Sequence, residues 1–157
     1  MKEVEALQVQ FGIQNTIIFD EGPGGLVRVK LSSGASTVEM ISHGVECDEH
    51  VVGEWRNRNR DEPITFDGET ERVYVGSENN ILLEDYGNMR TITVEKSGSM
   101  STLVWNPWIG KAARMKDFGE NEWREMMCIE TAHTNENTVQ ITPGEQHIMS
   151  ALIGIMQ

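Results

Sequence analysis

Along much of the chain, apolar and polar positions alternate with a period of two, the spacing of strands buried on one face. In "GGLVRVKLSS", Leu26, Arg28 and Lys30 alternate against Val27, Val29 and Leu31. "STVEMIS" gives a second strand, its alternation broken where Ile41 follows Met40. "PITF" starts another after Pro63, and "ERVYVGS" sets Val73 and Val75 against Tyr74. "NNILLED", "RTITVEKSG" and "STLVWNP" follow, and "EMMCIETAH", "NTVQITPGEQ" and "HIMSALIGIM" close the chain. Turn residues separate them: Gly22-Pro23-Gly24-Gly25, Asp67-Gly68, Tyr86-Gly87-Asn88, Ser97-Gly98 and Pro143-Gly144.

One segment departs from this period. In "WIGKAARMKDFG", Ile109, Ala112, Ala113 and Lys116 share a helical face, and Gly119 stops the helix; "GENEWREMM" adds a short turn. Lys111, Arg114 and Asp117 then form a solvated helix face. The pattern predicts an all-β domain of mainly antiparallel strands with one short helix.

Composition narrows the class. A chain of 157 residues is one ordinary domain, long enough to build a core without disulfides or a metal. Apolar residues make up 38% and charged residues 24%, the balance of a globular protein. No apolar run is long enough for a membrane span, and "MKEVEALQVQ" lacks the apolar block of a signal peptide. The expectation is a soluble intracellular, cytoplasmic protein.

The formal charge is -12, from 25 acidic and 13 basic residues, a field that repels nucleic acid. The basic cluster Arg56, Arg58 and Arg60 in "EWRNRNRDE" reads as a solvated turn between strands or as a site for one small phosphate or sugar. Cys47 and Cys128 make no metal or redox spacing, and Cys128 in "MMCIE" reads as a buried thiol. Neither a metal nor a cofactor is expected.

Four stretches, "ITFDGETERVYV", "VEKSGSMSTLVWNPWIGKAARMKDFG", "EWREMMCIETA" and "ITPGEQHIMSA", carry rare residues in a fixed order. Over these the chain resembles the C-terminal part of hexose-6-phosphate mutarotases (glucose-6-phosphate 1-epimerases) of the aldose 1-epimerase group. The family pattern is close to WNPW, a Lys-Ala pair, Met, Asp-Phe-Gly, Cys-Val-Glu and Pro-Gly-Glu. "FGIQNTIIFDEGPGGLVRVKLSSGASTVEMISHG" is similar to the family's opening strands. The resemblance implies one domain over 1–157, with 1–45 matching the family start, 61–157 its C-terminal part, and the middle absent. The implied fold is a truncated galactose mutarotase-like β-sandwich (supersandwich).

Mutarotation interconverts sugar anomers through ring opening, with a base on the anomeric hydroxyl and an acid on the ring oxygen. By the resemblance, Glu130 is the base and an aldose 6-phosphate the substrate. Glu71 stands where the family has Asp beside the sugar hydroxyls, and Arg72 follows it within reach of a phosphate or a carboxylate. Trp105 and Asn106 are further substrate-binding candidates. For Trp105 and Trp108, a packed corner around Pro107 and a stacking surface for sugar are both open.

The family's acid is a His from the middle region, and no residue here matches it. His133, three positions past Glu130, falls on the opposite face of a regular strand. Two readings follow: a mutarotase that uses another acid, or a non-catalytic carbohydrate-binding or structural protein derived from the epimerase fold. Loss of the middle strands leaves open sheet edges, so a homodimer is expected.

Overall fold

The protein is represented by a computed structural model. It describes residues 64–75, 80–119, 121–133 and 137–156 in full, and among the first 63 residues the backbone of strands 7–9, 11–18, 27–31, 38–47 and 50–57. Those early strands are β1 (Leu7–Val9), β2 (Phe11–Ile18), β3 (Val27–Leu31), β4 (Val38–Cys47) and β5 (His50–Asn57). Then come β6 (Thr70–Val75), β7 (Ile81–Asp85), β8 (Arg90–Ser97), β9 (Ser101–Asn106), helix α1 (Trp108–Ala112) and a 3-10 turn at Glu122–Arg124. The last strands are β10 (Met126–His133), β11 (Val139–Ile141) and β12 (Ser150–Met156).

Among the described residues, all pairings are antiparallel. A six-stranded sheet runs β2-β10-β9-β6-β4-β5, a four-stranded sheet runs β12-β8-β7-β3, and β1 pairs with β11. Alternation along each strand sends one side chain row inward and the next outward. The inward rows meet as one core: Tyr74, Val104, Met127 and Ile129 from the large sheet pack with Ile81, Leu83, Ile92 and Val94 from the small one. Ile64 and Phe66, ahead of β6, close it from the side. This is the mainly antiparallel two-sheet sandwich with one short helix that the period-two pattern predicts.

Three local expectations are corrected. "PITF" forms only an isolated bridge at Ile64, not a strand. Helix α1 stops at Ala112, well before Gly119, and isolated turns follow. Arg56 belongs to β5 rather than to a turn, whereas Arg58 and Arg60 lie outside the described residues.

Turn chemistry accounts for several of the motifs. In Thr142-Pro143-Gly144-Glu145, Gly144 has φ +87 and the Glu145 amide donates to Thr142 O at 3.0 Å, the arrangement of a type II turn. Glu145 then reaches back to accept from the Thr142 amide at 3.1 Å. A hydrogen bond from the Thr142 hydroxyl, and then this one from its amide, hold the Glu145 carboxyl below the ordinary value. The Pro-Gly-Glu motif is therefore a turn.

Candidate active site

The register fixes which residues share the outer face of the large sheet. Glu130 lies opposite Leu103, which lies opposite Val73; one step along, Cys128 faces Trp105, which faces Glu71. Paired residues in an antiparallel sheet point to the same side. Glu130, Glu71 and Trp105 therefore stand on one face, over a floor of Leu103, Val73 and Val75 that forms its own apolar cluster. Glu130 sits in the middle of β10, half-buried, where every other residue of the strand is buried.

The environment acts on its charge. Burial pushes the Glu130 carboxyl above its ordinary value, and the Glu71 carboxylate adds to the rise. Lys111 balances Glu71 from the other side. Its Nζ lies 3.5 Å from Glu71 Oε2, 3.7 Å from Glu69 Oε1 and 5.8 Å from the Trp105 ring centroid. The expected solvated position of Lys111 is thus corrected: this residue closes one side of the carboxylate pair. Sequence periodicity missed it because α1 is too short for a helical face to define its surroundings.

The corner between β9 and α1 is built around Asn106. Its Nδ2 donates to Trp123 O and to Met126 O, each at 2.8 Å, and its Oδ1 accepts from the Trp108 amide at 2.8 Å. Pro107 holds φ at -70, and Trp108 enters the left-handed region at φ 55. The Trp108 ring packs on Trp123 with centroids 4.5 Å apart and against the core. This corner brings Lys111 back over the end of β9.

Two expected substrate-binding residues do not join the face. Asn106 is fully buried, with its amide occupied by the corner. Arg72 alternates with Glu71 and shares the opposite side with Tyr74 and Val104. One sheet therefore separates Arg72 from Glu130. His133 falls on that opposite side too, because β10 keeps an unbroken register with both neighbours. The side chains of His43 and His50 lie outside the described residues. No metal-holding group of three or more His, Cys, Asp or Glu occurs among the described residues.

An aldose 1-epimerase family profile matches residues 28–151 of the 157. The chain belongs to the aldose 1-epimerase family. Within that family, it is 37% identical over 83 residues to a candidate glucose-6-phosphate 1-epimerase from Cenchrus ciliaris, covering 53% of this chain and 25% of that protein. It is 28% identical over 72 residues to another candidate glucose-6-phosphate 1-epimerase from Escherichia coli K12, covering 46% and 24%. The fold matches that of a candidate mutarotase from Salmonella typhimurium with a TM-score of 0.78 at 18% identity, over 97% of this chain and 47% of that one. This epimerase-family chain thus carries about half of the solved fold, and its matched segments span about a quarter of the curated relatives. No helix among the described residues is long and apolar enough to cross a membrane.

Proposed function

We propose that the outer face of the large sheet binds an aldose 6-phosphate and that Glu130 is the base for exchange of its anomers. The supporting observation is the position of Glu130, a half-buried carboxyl beside Glu71 and Trp105 over the apolar cluster of Leu103, Val73 and Val75. A base there takes the proton from the anomeric hydroxyl. Glu71, held by Lys111, accepts hydrogen bonds from the sugar hydroxyls, and the half-buried Trp105 ring offers a stacking surface. The names of the relatives point to glucose 6-phosphate as the first substrate to test. A cytoplasmic setting, where sugar phosphates occur, goes with this reading.

A second reading has its own observation. Among the described residues, no imidazole shares the face of Glu130, so nothing described there is a ready acid for the ring oxygen. The chain then binds the sugar phosphate without turnover. Exchange NMR on glucose 6-phosphate, paired with calorimetric titration, separates the two. Accelerated α–β exchange supports the mutarotase; saturable binding at the spontaneous rate supports the binding protein; neither effect excludes both.

The same proposal includes a homodimer through β12. This strand is the edge of the small sheet, and Leu152, Ile153, Ile155 and Met156 on it are exposed by 48 to 65%. Ser150–Met156 contains no charged residue, the usual device against edge pairing, so the strand offers no charge to repel a second copy.

A further inference from the structure

Ring opening takes a proton from the anomeric hydroxyl and puts one on the ring oxygen. Glu130 meets the first need, and its neighbours decide what meets the second. In the register, β9 sets Leu103 beside Glu130 and β2 sets Gln14 there, residues that do not ionise. β6 brings Glu71 to the same face, and the Lys111 ammonium is taken up with Glu71 and Glu69. His133 falls on the far side of the sheet.

The Glu130 carboxyl keeps both oxygens open. Burial and the Glu71 charge act on it, and among the described residues it accepts no hydrogen bond. Asp85, by contrast, is filled by the Asn88 amide, the Asn88 side chain and Arg90. Two open carboxyl oxygens lie side by side, as do the hydroxyl and ring oxygens that a hemiacetal carries on one carbon. One side chain therefore matches both sites of proton transfer.

We propose that Glu130 carries out both proton transfers of anomer exchange, as base at the anomeric hydroxyl and then as acid at the ring oxygen, with no second acidic residue. This rests on the mutarotase reading and supplies the step it lacks. The O1–H bond breaks, its proton passing to the carboxylate and its electron pair forming the C1=O1 double bond. The C1–O5 bond breaks with its pair staying on O5, and O5 takes the proton from the carboxyl. The open aldehyde results and the carboxylate is restored. After rotation about C1–C2, the same steps in reverse close the ring on the other face of the carbonyl. A carboxyl that serves as base in one step and acid in the next follows from microscopic reversibility.

Two properties of the face suit such a shuttle. The proton has to stay on the carboxyl between the transfers, and burial together with the Glu71 charge favours the protonated form. The apolar floor of Leu103, Val73 and Val75 limits the water that would carry the proton away. Glu71 therefore acts on the shuttle through its charge as well as on the sugar through hydrogen bonds.

The test is the pH profile of glucose 6-phosphate exchange by NMR, after subtraction of the enzyme-free rate. It uses wild type and a chain with His43→Ala and His50→Ala, the histidines whose side chains lie outside the described residues. A shuttle starts and ends each cycle as the carboxylate. The saturated rate therefore rises through one ionisation and stays level to about pH 9, whereas a separate acid, which must hold its proton, gives a bell. The double variant keeps the wild-type profile. A descending limb in wild type overturns the shuttle, as does a loss beyond about tenfold in a double variant that melts like wild type. Either result leaves Glu130 standing as the base. A wild type that accelerates exchange at no pH overturns the mutarotase reading and the shuttle with it.

Discussion

Glu130 carries two opposing consequences of one placement. Burial and the Glu71 carboxylate raise its carboxyl above the ordinary value of 4.5, so the folded chain favours the protonated form. That contribution to stability is present below the unfolded value and is lost as pH rises through the folded one. Glu130→Gln is therefore expected to unfold at a higher temperature than wild type at pH 8, with the gap closing below pH 4, as calorimetric melts will show. If the chain turns over, exchange rises with pH through the raised value. Glu71→Gln moves that rise to lower pH, and Lys111→Met moves it higher by leaving Glu71 unbalanced.

A second residue-scale prediction concerns Thr102 and Thr131. They face each other across β9 and β10, are fully buried, and their hydroxyls have no hydrogen-bond partner among the described residues. Replacing a buried, unsatisfied hydroxyl by a methyl of the same shape removes a desolvation cost. Thr131→Val is expected to stabilise by about 1 kcal/mol in urea unfolding; a loss of stability would show that the hydroxyl has a partner.

At the scale of elements, the β7–β8 hairpin depends on Asp85. Burial alone would raise its carboxyl, but hydrogen bonds from the Asn88 side chain and Arg90, then the Asn88 amide, outweigh it and hold it below the ordinary 3.8. The Arg90 Nε lies 2.7 Å from Asp85 Oδ2. The stabilisation is present above the unfolded value and fades as pH falls through the folded one. Asp85→Ala should cost about 3 kcal/mol at pH 7 and much less near pH 2. The β9–α1 corner behaves likewise: Asn106→Ala removes three hydrogen bonds from a fully buried site, for an expected loss of about 2–4 kcal/mol.

These elements also show what was legible in advance. Strands β7 and β8 alternate cleanly, and β6, β9 and β10 are apolar runs bounded by turn residues, so period and punctuation located them; the resemblance named Glu130 and Glu71, which the register sets on one face. Sheet order and register are long-range, and they alone reveal that Arg72 and Glu130 lie on opposite sides. The Asn-Pro corner read as a rigid bend, which it is. Its effect on Lys111 needed the tertiary fold, because a five-residue helix has too few turns for periodicity to define a face.

For the whole molecule, the open edge and the charge oppose each other. A net charge of -12 repels a second copy, while the uncharged β12 edge attracts one, so the proposed dimer should tighten as salt screens the charges. Light scattering at tens of micromolar protein should report a dimer, and Ile155→Lys a monomer with an unchanged melting temperature. A wild-type monomer at every concentration and salt would contradict the pairing.

The account depends most on Glu130 acting on a sugar at the outer face of the large sheet. The direct measurement is the rate of α–β exchange of glucose 6-phosphate with wild type and with Glu130→Gln, by exchange NMR. Loss of a positioned base predicts an enzymatic rate lower by roughly 10²–10⁴ in the variant. Equal acceleration by the two chains would contradict the assignment of Glu130 as the base.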